Sequence, residues 1–213
     1  MFSVAALEPF DSEVFAEMLA RQSNLTPDEA LQHLMEGNER FASDTMASLG
    51  LSLSILRQHT VEKQEPFASV LACADSRVPV ELIFDQTIGQ LFVARVAGNF
   101  STPEILGSLE YGAALLGTKV ILVLGHSSCG AVTATMQGNA VPGQISSLFT
   151  HIQPAVDRAG GNLEEAVKEN ARMQADLMAK SSPVLSKLVN EGKLKIVAGY
   201  YDLATGRVSL LPS

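Results

Sequence analysis

Lys119-Val120-Ile121-Leu122-Val123-Leu124-Gly125-His126-Ser127-Ser128-Cys129-Gly130 is the stretch that decides the fold. It opens with a short, continuous apolar run, turns through a polar segment, and hands over to a helical stretch after Cys129. Apolar runs without polar alternation are the mark of strands covered on both faces, as in a mostly parallel sheet flanked by helices. The same pattern recurs on either side, with strands expected at Ser69 to Cys73, Leu91 to Val96 and Leu194 to Tyr200. A last strand, Arg207 to Leu211, follows the turn Asp202-Leu203-Ala204-Thr205-Gly206. Thr102-Pro103-Glu104 opens a helix that stops near Gly117, a longer helix covers about Leu163 to Ala179, and a short one ends at Gly192. Gly138 to Gly143 reads as the most mobile connection. The expected fold class is α/β.

Ahead of the first strand, Phe10, Val14, Phe15, Met18 and Leu19 fall on one side of a helix spanning Phe10 to Gln22. A second helix opens at Thr26-Pro27-Asp28-Glu29, with Thr26 as N-cap, Pro27 at the first helical position and Glu29 closing a capping box, and runs to about Phe41. The expected organisation is an N-terminal helical arm, residues 1–45, and an α/β catalytic domain, residues 46–213. The arm either packs on its own domain or clasps a partner subunit. Apolar residues at 46% against 18% charged favour burial of surface in a homodimer or higher homo-oligomer. With 15 basic and 23 acidic residues the net charge is −8, and no basic run stands out, so nucleic acid is not an expected partner. No apolar stretch approaches the ~18 uninterrupted residues that cross a bilayer. Glu8, Asp11 and Glu13 stand where a signal peptide would carry Lys or Arg. The cytoplasm is the default compartment when thiolates must stay reduced, although a mature organellar or exported form is also compatible.

Ligands of open α/β sheets bind beyond the carboxyl ends of the strands. Two such ends carry unusual sets: Cys73-Ala74-Asp75-Ser76-Arg77 after the first strand, and His126-Ser127-Ser128-Cys129 after the third. A chain that stays extended past Cys73 would put Cys73, Asp75 and Arg77 on one side. His126 and Cys129 suit a turn entering a helix, and Gly130 leaves room for close backbone approach. Alone, Cys73 would read as a buried structural thiol; together the two sets supply two thiolates and an imidazole, the soft donors of a metal site. Three protein ligands with an open position describe a catalytic zinc rather than a structural one. Asp75 either takes the fourth position or stands off the metal, its carboxylate gripped by Arg77, and accepts a hydrogen bond from bound water.

Cys73-Ala74-Asp75-Ser76-Arg77-Val78, Leu91-Phe92-Val93-Ala94-Arg95-Val96-Ala97-Gly98-Asn99 and Gly125-His126-Ser127-Ser128-Cys129-Gly130-Ala131 resemble the motif series of the β-class carbonic anhydrases, from about Leu25 to the C-terminus. The resemblance implies Zn²⁺ held by Cys73, His126 and Cys129, and an Asp75–Arg77 catalytic dyad. It further implies four parallel strands plus an antiparallel one, and a dimer wrapped by its N-terminal helices with the active site near the interface. The implied reaction is reversible hydration of CO2 to bicarbonate and a proton by attack of zinc-bound hydroxide. Val78, Phe92, Gly130 and residues of the partner subunit are the expected substrate surroundings, and Gln64 is the nearest match to a glutamine the family uses. His59 and His151 are the candidates for carrying the proton away, although solvated surface histidines are the plainer reading of both. Some members bind bicarbonate at a regulatory pocket that includes a tryptophan, and this chain has none. In carbonic anhydrases with three neutral histidine ligands, zinc lowers the pKa of its water from 15.7 toward ~7. Two thiolates cancel the metal's charge, so activity here is expected to rise into the alkaline range. Hydrolysis of carbonyl sulfide or carbon disulfide by the same chemistry, and non-catalytic bicarbonate sensing, are the alternatives.

Overall fold

The computed structural model describes residues 24–48 and 52–212, so the expected helix at Phe10 to Gln22 lies outside the described residues. One sheet holds five strands, β1 (Ala68–Ala72), β2 (Leu91–Arg95), β3 (Val120–His126), β4 (Lys195–Tyr201) and β5 (Val208–Leu211), in the order β2-β1-β3-β4-β5. β1 runs parallel to β2 and β3, β3 runs parallel to β4, and β5 returns antiparallel along β4. The α/β class with a mostly parallel sheet is therefore observed. Every residue of β1 and β3 is buried, which is why their sequences show no polar alternation.

The flanking helices are α1 (Pro27–Ala42), α2 (Leu53–Thr60), α3 (Val80–Ile83), α4 (Pro103–Ala114), α5 (Gly130–Gln137), α6 (Phe149–Arg158), α7 (Leu163–Ser181) and α8 (Pro183–Asn190). The two-residue period of the strands sorts their side chains between two cores. Val70, Leu122 and Leu124 meet Ala30 and Leu34 of α1 on one face, while Leu71, Ile121 and Val123 meet Leu109 of α4 and Ala171 and Met178 of α7 on the other. A third cluster, with Cys73, Cys129, Phe100, Val132 and Ile152, covers the carboxyl end of the sheet.

α1 is built as its sequence suggests: Thr26 and Glu29 form the capping box, with Pro27 in the first turn. Its inner face belongs to its own sheet. Ala30 and Leu34 are fully buried, and Asn38 donates to the carbonyls of Ile83 and Gly206 while accepting from the Val208 N–H. Burying a leucine of this kind stabilises by roughly 1.5–3 kcal/mol. Gly37 lets the helix come this close, because a Cβ there would lie 1.9 Å from the Phe84 carbonyl oxygen.

Strand limits differ from the expected ones by a residue or two. α2, α3 and α6 are additions. α3 is a single turn, too short to show a period. α6 carries Pro154 inside it and follows a 3₁₀ turn at Gly143–Leu148, so breaker residues mask an amphipathic helix. The connection lies where it was expected, from the left-handed cap of α5 at Gly138 to Pro142, just before that 3₁₀ turn.

Candidate metal centre

Ala72 pairs with Leu124, so the chain leaving β1 and the end of β3 emerge side by side at the carboxyl edge of the sheet. Cys73 is the first residue beyond β1, His126 the last of β3, and Cys129 the N-cap of α5. Their ligand atoms all lie within 4.8 Å of one another, and all three residues are buried. Ser128 in the left-handed region, at φ 55°, makes the reversal from strand to helix. Ser127 pins that reversal to the end of β4: its N–H donates to the Tyr201 carbonyl, and its Oγ accepts from the Leu203 N–H. Both cysteines are free thiols.

The orientation of His126 decides which atom faces the thiols. Its Nδ1 lies 2.9 Å from the Ser127 carbonyl oxygen, which can only accept, so Nδ1 carries the hydrogen. Nε2 is left with its lone pair, buried and without a hydrogen-bond partner among the described residues. A buried acceptor without a partner costs about 1–3 kcal/mol unless something fills the role. Two thiols and one bare imidazole nitrogen around a common centre are a donor set that fits a soft divalent metal such as zinc.

The thiols are already divided into donor and acceptor. A hydrogen bond from Cys129 brings the Cys73 thiol well below its ordinary value against the opposing effect of burial, with the Gly98 N–H adding to the pull. Cys129 is pushed upward because it is the donor of that bond and is itself buried. The pair thus holds one proton, which metal binding would release.

Asp75 and Arg77 come together, but not by an extended chain. β1 ends at Ala72, and the Val78 N–H closes a turn on the Asp75 carbonyl at 3.1 Å. The Asp75 carboxylate organises that turn, as short polar side chains do when they bond backbone two residues on. Its Oδ1 accepts from the N–H and Nε of Arg77, each at 2.9 Å, and its Oδ2 accepts from Nη2 at 2.7 Å. Arg77 Nη2 also donates to the Ser128 carbonyl at 3.2 Å, tying the two strand exits together. Asp75 Oδ2 stands 4.0 Å from His126 Nε2. The Arg77 side chain holds the carboxyl well below the usual range, against partial desolvation. Asp75 is therefore an anion at every physiological pH, turned toward the cluster but engaged by Arg77 through both oxygens.

Two supports went unread in the sequence. Arg95, closing β2, donates through Nε to the Cys73 carbonyl at 2.9 Å and through Nη2 to the Asp75 carbonyl at 2.6 Å, so it holds the turn from behind. A cation ending an apolar strand was the available signal. Gly98 donates its N–H to Cys73 Sγ at 3.3 Å.

The expected substrate surroundings divide. Gly130 is exposed at the start of α5, with nothing within 4 Å of where a Cβ would stand. Val78 is fully buried in the core beneath α1, directly after the turn that carries Asp75 and Arg77. Phe92 lies on the edge strand β2 opposite Ser69, four residues before Cys73, and within one subunit it faces Tyr111 (ring centroids 6.2 Å apart) and not the metal cluster. Gln64 and Tyr111 line a surface depression on that same flank. His59 is half-buried on α2, and His151, exposed on α6, stacks on Phe100 with ring centroids 4.3 Å apart.

Residues 68–208 match the family model described as carbonic anhydrase. Carbonic anhydrase 2 of Mycobacterium tuberculosis is 34% identical over 195 residues, covering 88% of this chain and 94% of that one. Among solved structures, the β-carbonic anhydrase of Coccomyxa in complex with acetazolamide superposes with a TM-score of 0.66 at 26% identity, covering 84% of both chains. A tetrameric β-carbonic anhydrase of Sordaria macrospora shares the fold with a TM-score of 0.69 at 20% identity, over 73% of this chain and 85% of that one.

Proposed function

Because the chain belongs to the β-carbonic anhydrase family and is a carbonate dehydratase, we propose that its reversible hydration of CO2 runs on Zn²⁺ held by Cys73, His126 and Cys129, with Asp75 and Arg77 as the catalytic dyad. The observation that carries this reading is the bare, buried Nε2 of His126 within 4.8 Å of two thiols. A zinc ion there would supply Lewis-acid activation of water at near-neutral pH.

The chain's own residues do the rest. Asp75, permanently ionised, can accept a hydrogen bond but not donate one, so water entering beside it is turned with a hydrogen toward the carboxylate and a lone pair toward CO2. Arg77 fixes that acceptor in one orientation and keeps its oxygens from coordinating. Gly130, lacking a side chain, leaves the entrance open for CO2 and for bicarbonate on its way out. Water and CO2 give bicarbonate and one proton, and the proton leaves to buffer.

The active assembly is a homodimer or a higher homo-oligomer. β2 is an edge strand, and Val61, Ile88, Tyr111 and Leu115 are exposed on the adjoining flank. A contiguous apolar flank beside an open strand edge marks a contact surface. Phe92 and Gln64 sit on it, where they would face the partner's site, Phe92 as an apolar wall and Gln64 as an amide. Of the proposed arm, residues 1–45, the described part is α1, which is anchored on the sheet of the catalytic domain, residues 46–213. No helix among the described residues is long and apolar enough to cross a membrane. Thiolate ligands that must stay reduced favour the cytoplasm.

Stopped-flow hydration with a pH indicator, on metal-quantified protein before and after chelation, tests the zinc reading. We expect about one zinc per chain, loss of activity on its removal and recovery on its return; full activity in metal-free protein would overturn it.

A further inference from the structure

The Cys73 thiol receives a backbone hydrogen bond whose geometry is held from a distant helix. Gly98 donates its N–H to Cys73 Sγ at 3.3 Å. It does so at φ +90°, where only glycine is at ease, and a Cβ would lie 2.5 Å from Ile152 Cδ1. Asn99 follows at φ 41°, also left-handed. A non-glycine residue in this region, as Asn99 is, is held there by its surroundings. Part of that determination is local, the Asn99 N–H donating to the Val96 carbonyl at 2.9 Å. The rest comes from α7, where two amides one turn apart reach across. Asn170 Nδ2 donates to the Gly98 carbonyl at 2.9 Å, and Gln174 Oε1 accepts from the Ser101 N–H at 2.9 Å.

Asn170 is 1% exposed, beside the buried apolar residues Ala166, Val167 and Ala171. Its Oδ1 has no hydrogen-bond partner among the described residues. An apolar residue would fill this helix face without leaving that oxygen unpaired, so the amide is there for its one bond. That bond ends on the same residue that donates to the thiol.

We propose that Asn170 is a positioning residue for the metal centre: by holding the Gly98 carbonyl it fixes the residue whose N–H bonds Cys73 Sγ. The proposal rests on the zinc reading above. Its chemical sense is that two thiolates cancel the charge of a divalent metal, and an N–H donor on one of them draws charge back from the sulfur.

The test uses the cobalt(II)-substituted protein and its thiolate-to-metal charge-transfer band, which moves to longer wavelength when the sulfur becomes richer in electrons. Asn170→Leu should shift the band to longer wavelength and weaken zinc retention against a competing chelator by roughly 10–100-fold, the usual cost of losing an outer support of a metal ligand. Gln174 holds the same loop but does not reach Gly98, so Gln174→Leu should lower the melting temperature while leaving band and affinity as in the wild type. Should Asn170→Leu not fold, Asn170→Ala removes the same donor without adding bulk and is read by the same two measurements. A wild-type band and affinity in the Asn170 variant, or an equal shift in Gln174→Leu, would overturn the proposal. A wild type that takes up cobalt without any thiolate band would instead overturn the zinc reading beneath it.

Discussion

Asp75 and Asp85 stand ten positions apart, each bonded to an arginine and each accepting from backbone N–H groups, yet they do different work. Asp85 has no side-chain exposure; it takes the Arg40 Nε at 2.5 Å and the N–H groups of Ala47 and Ser48 at 3.1 and 2.9 Å, and so fastens the segment after α1 to the body. Asp75 keeps 18% of its side chain exposed, and its arginine keeps 52%. Beside it lie a bare imidazole nitrogen and two thiols rather than a closed loop. An acid–arginine pair is thus a fastener where every other direction is blocked, and under the proposed mechanism it is a catalytic device where one direction opens on the Cys/His cluster.

The sharpest way to break this comparison is to neutralise each acid with its isostere. Asp75→Asn should lower kcat/KM for CO2 hydration by about 10²–10⁴, the range for a lost acid–base group, with a small cost in folding stability because the amide oxygen can still accept from the turn and Arg77 is half exposed. Stopped-flow rates normalised to bound zinc measure it; a loss under about threefold would remove Asp75 from the mechanism. Asp85→Asn should do the reverse, costing about 1–3 kcal/mol of stability by weakening the bonds that the buried carboxylate accepts from Arg40, Ala47 and Ser48, with activity per folded, metal-loaded chain unchanged. Burial pushes the Asp85 carboxyl up, but the bonds from Ser48, Arg40 and Ala47 outweigh it and hold the group below its ordinary value. The stability gap between wild type and Asp85→Asn, from urea unfolding, should therefore be constant from pH 8 to about 5 and close as pH falls below ~4. A gap that widened in acid would mean the carboxyl is raised in the folded state.

Next in size is Arg77→Lys. An ammonium cannot span both oxygens of Asp75 or reach the Ser128 carbonyl from the same geometry, so the carboxylate gains freedom to turn toward the metal. We expect about a tenfold loss in kcat/KM, roughly 1.4 kcal/mol, carried mainly by kcat. A fall confined to KM would make Arg77 a substrate-binding group rather than the keeper of Asp75.

The two acids also show what a sequence can disclose. The site at the end of β3 was legible because residue type and place agree: His126 and Cys129 follow a strand whose burial on both faces leaves an uninterrupted apolar run. Asp75 and Arg77 were legible as a pair but not in their geometry, since a turn built by the carboxylate itself replaced strand periodicity. That turn leads Val78 into the core. Asp85, within Phe84-Asp85-Gln86, gives no local sign of burial, because its partners lie 37 to 45 residues earlier. Asn170 and Gly98, 72 residues apart, were hidden for the same reason. α1 could be read from its caps, yet its attachment to its own sheet depends on Asn38 meeting Ile83, Gly206 and Val208, contacts that only the folded chain brings together.

The smallest expected effect sharpens the fastener side of the comparison, because Arg40 has a second titratable neighbour. His33 is half-buried and meets Phe67 edge-on, ring centroids 4.9 Å apart. Burial first, and then the Arg40 charge, lower its pKa below 6.5, with Glu36 partly opposing. A histidine lowered on folding favours the neutral form in the native state, so its contribution is complete above about pH 6.5 and is lost as pH falls through the folded value. Unfolding free energies of wild type and His33→Phe should therefore draw together, or cross in favour of the variant, between pH 7.5 and 5.5. Arg40→Met should flatten that slope, since it removes the cation that helps keep His33 neutral. A slope untouched by Arg40→Met would assign the whole effect to burial and leave Arg40 with Asp85 as its sole electrostatic task.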